Sequence, residues 1–196
     1  LEILLTERLE EPVKVYIAYK HTAPFVEDVV KQALADGVTT FVTLPINAIF
    51  SASGGGAVHK EGAELVADKE VKHIAVTDWN TDEGIVSVYA ERVTRAFYWL
   101  PTAAQSNAHV LFTVHSQPID PERNEVYVKQ FTELATAIAQ KAGIQNFHIT
   151  YRSSGGKANW LAPDVKDKIR ELQAAGGTGF VTCALLALCA DVESYF

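Results

Sequence analysis

Two apolar rhythms alternate along the chain. Short β-rich runs recur at residues 13–19, 40–44, 73–77, 109–114, 147–151 and 179–188. Between them, apolar residues return every three or four positions, which marks one buried helical face. Residues 2–10 read as the end of a helix, cut short by Pro12. Phe25, Val29, Ala33 and Leu34 then share a helical face that Thr22 can cap, with Pro24 in the first turn and Gly37 as the stop. A helix follows over about 57–68. Asp82 or Thr81 can cap the next, which runs from 83 to about 100 with Ile85, Val88, Tyr89, Val93, Ala96 and Phe97 on one face. Two more helices are predicted over 125–142, closed by Gly143, and over 163–175, closed by Gly176-Gly177.

Strands alternating with helices predict parallel sheets covered by helices, an α/β fold. The rhythm runs through twice. It predicts two similar lobes, 1–100 and 101–196, with the boundary in 101–107 and a cleft between. The run Phe97-Tyr98-Trp99 is expected to pack between them.

Composition narrows the function. The chain has 196 residues and a net charge of -7, with no basic stripe to meet phosphates, so nucleic acid is not an expected partner. No apolar run reaches the roughly 18 residues of a membrane span, and no basic start leads into an apolar run as in a secretory signal. The two cysteines, Cys183 and Cys189, sit in one apolar run and read as small buried hydrophobes. A cytoplasmic protein is the expectation.

The chemistry centres on residues 111–118, Leu-Phe-Thr-Val-His-Ser-Gln-Pro. An apolar strand ends there at His115, and the chain breaks at Ser-Gln-Pro. Ligands of open α/β sheets bind at the carboxyl ends of the strands, and imidazole suits proton exchange near neutrality. Tyr151-Arg152-Ser153-Ser154 and the acids Asp191 and Glu193 follow other strands and are expected at the same edge. Imidazole with carboxylate can hold a divalent metal or move protons. A serine nucleophile beside His115 competes, but the Gly-x-Ser-x-Gly elbow is absent. The run 51–56, Ser-Ala-Ser-Gly-Gly-Gly, reads as a ligand-facing loop and matches no phosphate-binding fingerprint.

Five segments, in order, resemble the ferrochelatases, which insert ferrous iron into a porphyrin to complete haem. They are residues 16–21 with 24–28, Leu44-Pro45 with Phe50-Ser51, Thr113-Val114-His115-Ser116-Gln117-Pro118, Tyr151-Arg152-Ser153 with Trp160-Leu161-Ala162-Pro163-Asp164, and residues 180–195. The third is similar to the family's Ala-His-Ser-x-Pro signature and the fourth to its Gln-Ser … Trp-Leu-Gly-Pro segment. The resemblance implies a two-lobed chelatase fold, a lyase of haem biosynthesis, and His115 and Glu193 as catalytic and metal-facing residues. Phe50, Ser51, Tyr151, Ser153 and Trp160 are then expected against the porphyrin, protoporphyrin IX or coproporphyrin III. On charge alone, Arg152 or Lys157 can meet a propionate. Fe2+ is expected as substrate metal, with no tightly bound cofactor. The partners implied are porphyrin and ferrous iron, with peripheral membrane contact left open. A non-catalytic tetrapyrrole- or metal-binding relative, or a cobalt chelatase, is the alternative. The chain departs from the family pattern at Ile46, Arg152, Ala162 and Asp191, and lacks the family's N- and C-terminal segments.

Overall fold

The computed structural model describes residues 1–186, and the chain packs as two compact units. The first comprises residues 1–45 and 53–76, the second residues 46–52 and the chain from 77 onward. Asp191, Glu193 and Cys189 lie outside the described residues.

In the first unit, α1 (Glu2–Leu9) has no buried residue. α2 (Val26–Ala35) packs on α3 (Gly55–Val66) through Val26, Val30 and Val66. β1 (Thr40–Thr43) and β2 (Lys72–Ala75) pair in parallel, Thr40 opposite Lys72. Gly37 ends α2 with φ 81°, a left-handed conformation that favours glycine. α3 begins two residues earlier than expected, at Gly55, where a Cβ would stand 2.9 Å from the Pro45 ring. Inside this unit the Thr43 hydroxyl lies 2.6 Å from Nδ1 of buried His59 and 3.0 Å from Nε2 of His73.

Two expectations for this unit fail. Residues 13–19 form no strand. Side chains meet part of their backbone instead: the Val13 N–H donates to Thr6 Oγ1, and the Val15 N–H to the Glu2 carboxylate at 2.8 Å. Lys14 and Tyr16 turn to the Asp36 carboxylate. Thr22 does not cap α2, whose N-cap position is Phe25, with no side-chain cap.

The second unit is a three-stranded parallel sheet in the order β4-β3-β5. These strands are β3 (Ala108–His115), β4 (Phe147–Arg152) and β5 (Gly179–Ala184). β3 is central and buried on both faces, which is why it reads as a nearly continuous apolar run. Val110, Phe112 and Val114 face a core built with α4 (Glu83–Tyr98) and α6 (Pro121–Ala142). Tyr89, Val93, Tyr127, Phe131, Leu134 and Ile138 supply the helical side of that core. The short α5 (Thr102–Gln105) precedes β3, and α7 (Val165–Ala174) packs on β4. Asp82 caps α4 through the Gly84 N–H, as expected. α6 starts at Pro121, four residues before the predicted start, because Asp120 accepts the Arg123 N–H and proline suits the first helical position.

The two units do not part at the predicted boundary in 101–107. α4 belongs to the second unit because Ile85, Val86, Tyr89, Ala90 and Val93 join its core. Ala48 and Ile49 join the same core, which carries 46–52 into that unit. Of Phe97-Tyr98-Trp99, only Phe97 packs on the core, while Tyr98 and Trp99 are exposed.

Cys183 is a half-buried free thiol, and desolvation pushes it up to about 12. It should therefore be protonated and inert near neutral pH. In a Cys189→Ser background, a thiol reagent at about pH 8 should label it roughly 100-fold faster in denaturant than in the folded chain. Equal rates would show an accessible thiolate.

Candidate functional site

His115 is the last residue of β3, opposite Arg152 of β4 and at the carboxyl edge of a parallel sheet. Its neighbour Val114 points into the core, so the imidazole stands on the other face, half-buried. Its Nδ1 lies 2.6 Å from the Ser116 carbonyl oxygen. A carbonyl only accepts, so Nδ1 carries the hydrogen and, in the neutral ring, the lone pair is on Nε2. The backbone thus selects the tautomer.

The chain around His115 is tied at several points. Its carbonyl accepts the Tyr127 hydroxyl at 2.7 Å. The Ser116 N–H donates to the Arg152 carbonyl at 2.7 Å, and the Ser116 hydroxyl donates to the Leu161 carbonyl at 2.8 Å. The Leu161 N–H donates to the Gln117 carbonyl at 2.9 Å, and the Ile119 N–H to the Asn159 carbonyl at 2.8 Å. The segments 116–119 and 159–161 are thereby clasped antiparallel, with Pro118 opposite Trp160. This clasp sets the Trp160 ring 6.4 Å from the His115 ring, tilted by 51°. The Lys157 ammonium lies over the Trp160 ring, 4.2 Å from its centre.

Loop 46–52 belongs to the same site. The Gln117 amide donates to Ser51 Oγ at 3.2 Å. The Phe50 N–H donates to the Gln130 side-chain carbonyl at 2.6 Å, and the Gln130 amide nitrogen donates to the Thr77 carbonyl at 3.2 Å. Asn124 donates to the Gln117 side chain at 3.3 Å and accepts the Asp120 N–H at 2.8 Å. Buried polar groups with such partners hold a loop in one geometry.

The structure gathers His115, Ser51 and Trp160, with Phe50 half-buried beside them in sequence and Ser153 exposed at the end of β4. Ser153 has φ 63°, a left-handed backbone that is uncommon outside glycine and is found at functional sites. Tyr151 lies inside the core, away from the edge where the motif put it. It is 4% exposed and packs edge-on against Phe131, because it shares the core-facing parity of Phe147 and Ile149. Burial raises its phenol above the ordinary tyrosine value. Glu193 lies outside the described residues. Among the described residues, no cluster of three or more His, Cys, Asp or Glu side chains is placed to hold a metal. Sequence reading missed Asn124, Tyr127 and Gln130. Their signal was three polar residues at spacing three on the buried face of α6.

A parallel sheet flanked by helices, with a half-buried imidazole at its carboxyl edge, makes this an α/β protein of chelatase-like fold, and solved structures share that fold. SirB from Bacillus subtilis with Fe3+ superposes with a TM-score of 0.70 at 15% identity, covering 96% of this chain and 69% of that one. The sirohydrochlorin chelatase SirB from Bacillus subtilis subspecies spizizenii in complex with cobalt does so with a TM-score of 0.53 at 11% identity, covering 93% and 78%. The family model described as Ferrochelatase matches residues 1–191, and the chain belongs to that family. Coproporphyrin III ferrochelatase of Bacillus subtilis (strain 168) is 31% identical over 164 residues, 81% of this chain and 52% of that protein. The same-named protein of Anoxybacillus flavithermus is 31% identical over 184 residues, 88% and 58%. That of Oceanobacillus iheyensis is 27% identical over 166 residues, 84% and 53%. The chain therefore spans little more than half the length of these relatives. Among the described residues, no helix is long and apolar enough to cross a membrane.

Proposed function

We propose that this chain carries the metal-insertion site of a ferrochelatase, placing ferrous iron into a porphyrin, with coproporphyrin III as the first substrate to try. Membership of the family supports the reaction, and the names of the relatives support the substrate. The observation that carries the reading is the bond from His115 Nδ1–H to the Ser116 carbonyl, which directs the imidazole lone pair to Nε2.

Metal insertion removes two pyrrole N–H protons and strips water from the iron. Nε2 of His115 accepts one such proton, and no ring flip is needed to present it. Trp160 gives the flat macrocycle an apolar neighbour beside that base. Lys157, whose ammonium lies over the indole, supplies a cation for a propionate. Ser51 and Phe50, held by Gln117 and Gln130, border the same edge. Glu193 is the carboxylate proposed to hold the incoming cation or relay the second proton. The working compartment proposed is the cytoplasm, in keeping with a free thiol at Cys183.

The test is anaerobic incubation of the 196-residue chain with coproporphyrin III and Fe2+, followed by absorbance of the metalloporphyrin. Catalysed formation above the protein-free rate is expected. Tight porphyrin binding without turnover would select a carrier instead, and absence of both would sink the reading.

A further inference from the structure

At the amino end of the same sheet, two more histidines meet. His109 of β3 and His148 of β4 lie on adjacent strands, and their rings are 5.2 Å apart between centres. His148 Nε2 is 3.1 Å from His109 Nδ1. Both side chains are half-buried, and Phe180 of β5 stacks on His109 at 6.1 Å, with an interplanar angle of 19°. Three neighbouring strands thus hold one imidazole pair between an aromatic ring and α7.

The geometry points to a second metal site at this pair, one that takes a divalent transition ion of the zinc type. Two imidazole nitrogens bound to one tetrahedral zinc, each at about 2.05 Å, stand about 3.3 Å apart. The observed separation of 3.1 Å is already close to that bite. At present one ring donates an N–H to the other. On metal binding, the donor ring shifts that hydrogen to its other nitrogen, both facing lone pairs turn to the ion, and no proton leaves the pair. Small rotations of both rings suffice.

Three further observations agree. Burial holds His148 below the ordinary imidazole range, and neighbouring His109 adds to this, so the ring is neutral and its lone pair is available at neutral pH. The Lys168 ammonium, which acts on His148, is paired with Glu171 at 2.6 Å, which blunts its repulsion of a cation. Phe180 braces His109 and limits the reorganisation that binding demands. Two protein ligands leave the remaining positions to solvent, so the ion is exchangeable and links β3 to β4.

This site is distinct from the edge carrying His115. Six residues of β3 separate His109 from His115, about 20 Å of strand. An ion at the pair is therefore not the one delivered to a macrocycle. The inference stands whether or not the chain metalates porphyrin.

The test is calorimetric titration of Zn2+ into the tag-free chain and three variants. Binding should weaken at least tenfold in His109→Gln and in His148→Gln, and keep its affinity in His21→Gln, a change at an exposed histidine outside both sites. Equal affinity in all four chains, or loss only in His21→Gln, overturns the site. Should a glutamine variant fail to fold, ring 15N spectra of the unaltered chain decide. Zn2+ must then move the nitrogen signals of His109 and His148, and an unmoved pair overturns the proposal.

Discussion

Replacing His115 by alanine should lower the proposed porphyrin metalation at least about 100-fold, the usual scale for losing a positioned general base. Porphyrin affinity should change little, because the apolar contact at Trp160 remains. The expected signature is a fall in kcat with nearly constant KM, read from initial rates of metalloporphyrin formation. The reason is local. His115 is half-buried, its Nδ1–H is committed to Ser116, and Tyr127 holds its carbonyl. Alanine removes the base without breaking the core, since Val114 and Phe112 carry the packing of β3. An alanine variant as fast as the parent would mean that protons leave by another route.

Phe131→Ala should cost about 3–5 kcal/mol of folding stability, the range for emptying a large aromatic site in a core. Phe131 is fully buried and meets Tyr151 edge-on, with ring centres 5.7 Å apart. It also lies in the cluster that joins α4, α6 and β3. The loss is comparable with the whole stability of a marginal domain, about 5–15 kcal/mol. Urea unfolding followed by circular dichroism reads it directly. A shift below about 1 kcal/mol would show that the ring leaves no cavity and that its surroundings collapse onto the space.

Much of the second unit was legible in the sequence because its signals are strong and local. β3 is a continuous apolar run, α6 has a proline start and a glycine stop, and His115 ends a strand just before a break. The carboxyl edge followed from parallel pairing alone. The misses have physical causes. Residues 13–19 have strand composition but no ladder pairing, because a strand needs a neighbour and composition cannot supply one. Tyr151 was placed at the ligand edge by motif, although its parity with Phe147 and Ile149 puts it inside. Asn124, Tyr127 and Gln130 were missed because each is buried and its partner, at Gln117, His115 or Phe50, is set by packing and not by local pattern. The boundary expected near 101 followed the repeat of the rhythm, whereas packing assigns α4 and residues 46–52 to the later unit.

That last assignment has a consequence for dissecting the molecule. The backbone passes from one unit to the other three times, after Pro45, after Ala52 and after Val76. Neither unit can be excised by a single cut. A fragment stopping at Val76 would drag Ala48 and Ile49 into water, and its complement would be left with an unfilled notch where those two side chains belong. The seven-residue excursion works as a stitch, so each unit is discontinuous in sequence and needs the whole chain to form.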